Sequence, residues 1–273
     1  MNITTVVGML LGFGALIVGV IMEDGDLVSF LKPSAAVIVL GGTFGAAMVS
    51  FPGTTLARLP RMISKAFVSK TADAVGVADI LVRLSERARR EGLLALEEEV
   101  PKLENHLLRK GVMLVVDGTD PDLVRSVLLS DISVRDREVE SDASLLEAMG
   151  GYAPTMGIIG TVMGLVNVLG NIEDPSHLGE AIAVAFIATF YGISTANLVW
   201  LPLGSKLKKQ AEKTQLLDEM ILEGLASIQS GENPRILQER LEPYLPREGR
   251  GKQTEEPEGD AAAGRIREDY QTT

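Results

Sequence analysis

Four stretches of this chain contain no Asp, Glu, Lys, Arg or His: Ile3 to Met22, Ser34 to Phe51, Ala148 to Ile172 and Ala181 to Ser205. Wound as an α-helix at about 1.5 Å per residue, even the shortest reaches roughly 27 Å, close to the roughly 30 Å hydrocarbon core of a bilayer. A soluble core can hide one such helix, but four uncharged runs of this length describe a protein that crosses the membrane four times. The mean hydropathy is +0.19 although 23% of the residues are charged, so charged and apolar residues must be segregated along the chain. Only 4% of residues are aromatic, while Gly, Ala, Val, Ile and Leu abound, a composition suited to helices packed closely in lipid. No basic stretch precedes the first run, and no small-x-small cleavage pattern follows it before Glu23 and Asp24, so it reads as a retained span rather than a signal peptide. With no cysteine, neither a disulfide framework nor a thiolate metal site is available.

Orientation follows from the basic residues, because segments rich in Lys and Arg resist translocation. Of the 26, the loop Glu23 to Pro33 holds only Lys32 and the loop Glu173 to Glu180 holds none; the rest lie between spans two and three or after span four. Both short loops are therefore expected outside, and both termini and the middle segment in the cytoplasm. A net charge of −11 argues against nucleic acid as a partner, since phosphate neutralisation needs clustered excess Lys and Arg.

The reading is an all-α integral membrane protein. Residues 1–52 hold spans one and two, 53–147 a cytoplasmic helical domain, 148–205 spans three and four, 206–246 cytoplasmic C-terminal helices, and 247–273 a polar tail expected to be disordered. Leu56, Leu59, Ile63 and Phe67 predict one amphipathic helix from Thr54 to about Lys70. Asp73 to Glu91 reads as a second helix ended by Gly92, and Leu93 to Val116 as a third, broken near Pro101. From Pro121 an unbroken helical pattern runs into span three. Beyond span four, Lys206, Lys208 and Lys209 form a basic collar at the interface, followed by an apolar stripe from Leu216 to Ile228.

Catalytic chemistry is missing from this pattern. His106 and His177 fall on opposite sides of the membrane, and no His, Cys or carboxylate cluster has metal-ligand spacing, so neither an enzyme nor a cofactor is expected. The spans carry no ionisable side chain, whereas intramembrane ion pathways depend on one, at a cost of roughly 2.5 to 3.5 kcal/mol or more at the bilayer centre. They do offer hydroxyls: Thr155 and Thr161 in the third span, Thr189, Tyr191, Ser194 and Thr195 in the fourth. Hydroxyls can replace part of an ion's hydration shell but hold no net charge at pH 7, so a partner has to bring the carboxylate. Their commoner use is hydrogen bonding between helices or to the turn below. Three small-x-x-x-small pairs, Gly8 with Gly12, Gly41 with Gly45 and Gly160 with Gly164, predict close helix contacts.

Two short spans, a large cytoplasmic insertion, the stretch from Tyr152 to Leu165 (YAPTMGIIGTVMGL) and the stretch from Ala183 to Gly192 (AVAFIATFYG) together resemble the MotA family of flagellar stator proteins, relatives of TolQ and ExbB. The likeness extends to about Pro246. It implies a homopentamer around two MotB-type chains, each supplying an ion-binding Asp from a single span, and a cytoplasmic domain that pushes the flagellar switch protein FliG. It also implies a bacterial cytoplasmic membrane location and proton coupling, with sodium as the alternative, because sodium-driven members often pair two threonines where Ala188 and Thr189 stand here. Carried over by residue, Thr161 and Thr189 match the ion-facing hydroxyls, with Thr155 and Tyr191 as further pathway candidates. Pro154 and Pro202 match the two prolines that couple conformation to ion passage. Arg89 and Glu97 match the rotor-facing charges, with Arg90 and Glu98 as neighbours sharing the role. The competing reading is a TolQ- or ExbB-like energiser of an envelope complex, whose members have three spans rather than four. A channel made by this chain alone is disfavoured by the absence of charged pore residues.

Overall fold

A computed structural model describes residues 3–68, 73–170 and 175–246. Among these residues every regular element is helical, and four helices are long and apolar enough to cross a membrane: Ile3–Met22, Leu27–Ser50, Pro121–Gly170 and Leu178–Ser230. The chain forms two compact units, one of residues 1–71 and 130–215, the other of residues 72–129 and 216–273. The tail 247–273 and residues 69–72 lie outside the described residues.

The first unit holds the spans. Span one is a single α-helix, Ile3–Met22, with no buried residue, as a helix facing lipid requires. Span two begins at Pro33, passes through a π-helical turn at Val37–Gly41 and ends at Ser50, where Phe51 becomes extended before Pro52. From the helix just after the turn, the wholly buried Thr43 hydroxyl donates to the carbonyl of Val39 within it at 2.6 Å. Span three is the C-terminal part of Pro121–Gly170, a single 50-residue helix, as the unbroken pattern predicts. Span four runs from Pro175–Thr195 through a π turn at Ala196–Trp200 into Leu201–Ser230. Leu145, Leu146, Met149 and Ala153 pack with Ala196, Trp200, Leu203 and Leu207 into a core, joined by Leu59 and Met62. The Trp200 ring meets Phe44 edge-on at 6.1 Å.

The amphipathic helix expected from Thr54 is two helices, Gly53–Ala57 and Leu59–Phe67. Pro60 is the cause: it has no N–H to give and its ring clashes with the carbonyl four residues back, so the chain restarts with Pro60 in a first turn. Arg58, at the break, places its guanidinium 2.8 Å from Asp142, whose side chain is only 10% exposed. Removing the carboxylate leaves a half-buried cation without its counter-ion, so Asp142→Ala is expected to cost about 2 to 3 kcal/mol, somewhat under the value for a fully buried pair. A fall of several degrees in the melting temperature of the detergent-purified protein checks this. The basic collar is paired within the chain: Lys208 binds Glu147 at 2.8 Å and Lys209 binds Glu212 at 2.9 Å.

The second unit owes its helix starts to side-chain caps. Asp73 accepts from Gly76 N, Asn105 from Leu108 N and Asn233 from Arg235 N, each satisfying a donor the helix cannot. Ala74–Glu91 ends where Gly92 takes φ +86°, a conformation that side chains disfavour. The stretch that follows differs from the predicted α-helix: Leu93–Lys102 is a 3-10 helix that accommodates Pro101, and the interruption falls at Leu103 to Asn105, before His106–Val116. Leu81, Leu96, Leu108, Leu128, Met220, Ile221 and Leu225 are fully buried and form this unit's core. Leu128 and Leu225 close over Gly111, and Leu81 over Gly224.

Candidate functional site

Spans three and four meet backbone to backbone. A Cβ on Gly192 would lie 2.5 Å from the Ala153 carbonyl oxygen and 3.1 Å from Pro154 Cα; one on Gly157 would lie 2.9 Å from the Ala188 oxygen and 3.1 Å from Thr189 Cα. Gly160 and Gly164 continue the seam against Ala188 and Ala185. Of the three predicted glycine pairs, Gly160 with Gly164 makes this kind of contact. Gly12 touches only a Leu198 side chain, while Gly8, Gly41 and Gly45 meet nothing within 4 Å. Gly157 and Gly192, whose three nearest neighbours are all backbone atoms, fall outside any small-x-x-x-small pair read from the sequence; a better signal is the match of small residues between the two spans.

Close approach brings two hydroxyls together. Thr161 Oγ1 and Thr189 Oγ1 are hydrogen-bonded to each other. Thr161 Oγ1 also lies 3.1 Å from the Gly157 carbonyl and 3.0 Å from the Ala185 carbonyl, and Thr189 Oγ1 lies 3.4 Å from Gly157 O. Each hydroxyl has one proton, so the two protons are shared among one hydroxyl–hydroxyl bond and the neighbouring carbonyls. Either hydroxyl can accept from the other, and that bond takes one of their four lone pairs. Both side chains are half-buried.

The other two hydroxyl candidates lie elsewhere. Thr155 is exposed and donates back to the Tyr152 carbonyl at 2.7 Å. Tyr191 donates to the Phe30 carbonyl and accepts from Lys32 N at 3.3 Å, tying span four to the loop before span two. Lys32 adds a salt bridge to Glu180 at 3.1 Å on the same connection. Pro154 lies inside span three, where it has no N–H for the Gly150 carbonyl and abuts Gly192. Pro202 stands two residues past the π turn of span four, so a widened turn and a missing donor fall side by side there.

In the second unit, Arg89, Arg90, Glu97 and Glu98 are all exposed, the arginines near the end of Ala74–Glu91 and the glutamates in the 3-10 helix. Arg87 donates to Glu91 at 2.9 Å, to Glu98 at 2.5 Å and to Glu99. Lys102 donates to Glu99 at 2.9 Å. That hydrogen bond from Lys102, aided by the charges of Lys102 and Arg87, holds the Glu99 carboxyl below its ordinary range against a smaller opposing effect of burial. The hydrogen bonds that Arg87 donates to Glu98 and then to Glu91 raise it further above its already high value. A depressed carboxylate stabilises the fold above its unfolded pKa and loses that contribution as pH falls through the folded one. Amide exchange in residues 93–102 is accordingly expected to keep its protection from pH 7 into the ordinary carboxylate range and to lose it only below.

The model of the MotA/TolQ/ExbB proton channel family matches residues 99–220, and that of the motility protein A N-terminal region matches residues 6–92. Motility protein A of Borreliella burgdorferi is 37% identical over 245 residues, covering 90% of this chain and 94% of its own. The chain belongs to the motility protein A family. Within it, the chemotaxis protein PomA of Vibrio alginolyticus is 34% identical over 90% of this chain and 96% of its own. Among solved structures, the flagellar MotAB stator complex from Bacillus subtilis contains a chain that superposes with a TM-score of 0.86 at 30% identity, over 92% of this chain and all of that one. The C. jejuni MotAB structure gives the same TM-score at 28% identity, over 90% of this chain and 97% of that one. Function goes with family here: the chain is a flagellar motor stator subunit.

Proposed function

We propose that this stator subunit works with a MotB-type, single-span partner that supplies the ion-binding carboxylate, and that inward proton flow through the pair turns into torque on the rotor protein FliG. The observation that carries the reading is the Thr161 and Thr189 hydroxyl pair in spans that have no acid or base of their own. Such a pair can receive a hydrated proton or a protonated carboxyl, but cannot store the charge between steps. Span three also presents Ile158, Ile159, Val162, Met163, Val166 and Leu169 unburied, a side that suits lipid or other helices and accords with a homopentamer around the partner. Thr155 belongs to the pathway in this reading, while Tyr191 acts on it by fixing the outer end of span four.

Pro154 and Pro202 are the coupling points. A proline that leaves a carbonyl unpaired permits a bend, and the seam at Gly192 transmits a bend of span three to span four without slack. The cytoplasmic membrane is the location, with both termini on the side that carries the basic residues. The contact with FliG is made by Arg89 and Glu97 with their neighbours Arg90 and Glu98, where exposed charges set steering and register. Moving one charge through 100 mV supplies about 2.3 kcal/mol, so torque is generated in small repeated steps.

Swimming speed in cells that depend on this chain tests the coupling. Proton drive predicts unchanged speed when sodium is removed and a halt when a protonophore is added. A halt on sodium removal alone would transfer the reading to sodium.

A further inference from the structure

The charges proposed for the rotor contact are not equivalent. After Gly92 the chain doubles back as the 3-10 helix Leu93–Lys102, in which residues three apart share a ridge. Leu93, Leu96, Glu99 and Lys102 form one ridge, seated by the fully buried Leu96. Glu98 and Glu97 lie on the other two. Arg87 reaches across from the preceding helix with every branch of its guanidinium engaged, Nε on Glu91, Nη2 on Glu98 and Nη1 on Glu99. Arg89, Arg90 and Glu97, in contrast, make no hydrogen bond or ion pair among the described residues.

We propose that Arg87 is a positioning residue for the rotor contact: by clamping Glu98 and Glu99 it fixes Glu97 in register with Arg89 and Arg90, and those three uncommitted charges form the face offered to a charged protein surface. Glu98 then belongs to the clamp and not to the contact. The physical basis is the planar guanidinium fork, which serves several carboxylates in one fixed geometry; a lysine at this position is a single point charge on a flexible stem. Exposed ion pairs are individually weak, but this set shares one donor group and works alongside the seat of Leu96. Its effect is on where Glu97 sits more than on whether the unit folds. The inference rests on the rotor-facing reading of Arg89 and Glu97.

The test uses the full chain with its partner, in cells lacking their own copy. Swimming speed, membrane level and amide exchange of residues 93–102 in the purified complex are compared for Arg87→Ala, Arg87→Lys, Glu98→Gln, the Arg87→Ala and Glu98→Gln double variant, and a reference reversal of Arg89→Glu with Glu97→Lys. Arg87→Ala is expected to keep its membrane level, to raise exchange in this segment about tenfold and to cut speed at least threefold; Arg87→Lys recovers only part of either. The double variant is expected to be no slower than Arg87→Ala alone, because both changes open the same clamp. Losses that multiply in the double variant would return Glu98 to the contact and overturn the assignment. Unchanged exchange, or full speed in Arg87→Ala while the reference reversal stops the cells, also overturns it and leaves the rotor reading intact. If the reference reversal itself swims normally, the rotor reading fails instead. Should Arg87→Ala not reach the membrane, Glu98→Gln decides: exchange that does not rise in residues 93–102 sinks the clamp.

Discussion

Gly192→Val is expected to abolish swimming and to destabilise the membrane unit by about 3 kcal/mol or more, at the upper end of what overpacking costs. The first added carbon would stand 2.5 Å from the Ala153 oxygen and 3.1 Å from Pro154 Cα. Both are backbone atoms, so no rotamer change relieves the overlap and the helices have to separate. Separation by even an ångström takes Thr189 away from Thr161 and uncouples span four from the proline of span three. Gly8→Ala is the control, since a Cβ there meets nothing within 4 Å and full motility is expected. Melting of the purified protein and spreading in soft agar give the two readings, and normal spreading of Gly192→Val would show that the seam has slack the packing denies.

The same seam shows what the sequence could and could not reveal. The spans were legible because absence of charge over some 20 residues is a property of the chain alone, and lipid enforces it wherever the helix packs. The end of Ala74–Glu91 at Gly92 and the start of Pro121–Gly170 were legible for a similar reason, since each is set by the backbone preferences of one residue. Pro60 carried the same kind of information, yet the apolar spacing of Leu56, Leu59 and Ile63 runs straight through it and hid the break. Leu93–Lys102 escaped because apolar residues three apart, such as Leu93 and Leu96, share a face in a 3-10 and in an α-helix alike. Gly157 and Gly192 escaped because a contact between two helices depends on their relative register, which spacing within either one does not encode. The Arg87 network was hidden for that reason too: its partners are 4, 11 and 12 residues away, and only the turn at Gly92 brings the distant two within reach. Resemblance supplied Thr161 and Thr189, and the structure added that they touch.

Their contact makes the second large effect specific to chemistry. Thr189→Val keeps the branched shape and removes the hydroxyl, leaving Thr161 its two carbonyl acceptors but taking two of the pair's four lone pairs. As a purely structural bond between helices in lipid, the lost hydroxyl is worth about 1 to 2 kcal/mol, which the seam of glycines can absorb without loss of the protein from the membrane. As part of the ion's path its loss acts on every transfer, and the same 1 to 2 kcal/mol placed on a barrier slows passage about 5- to 30-fold. The expected result is therefore a normal membrane level with proton flux and low-load swimming speed reduced by about tenfold, and recovery of most of the speed in Thr189→Ser, which restores the hydroxyl but not the methyl. Thr161→Val is expected to lose more than Thr189→Val, because Thr161 sits within reach of both carbonyls as well as the partner hydroxyl. Equal speeds for valine and serine at position 189, with both proteins present in the membrane, would confine this hydroxyl to holding the helices together and remove it from the ion's route.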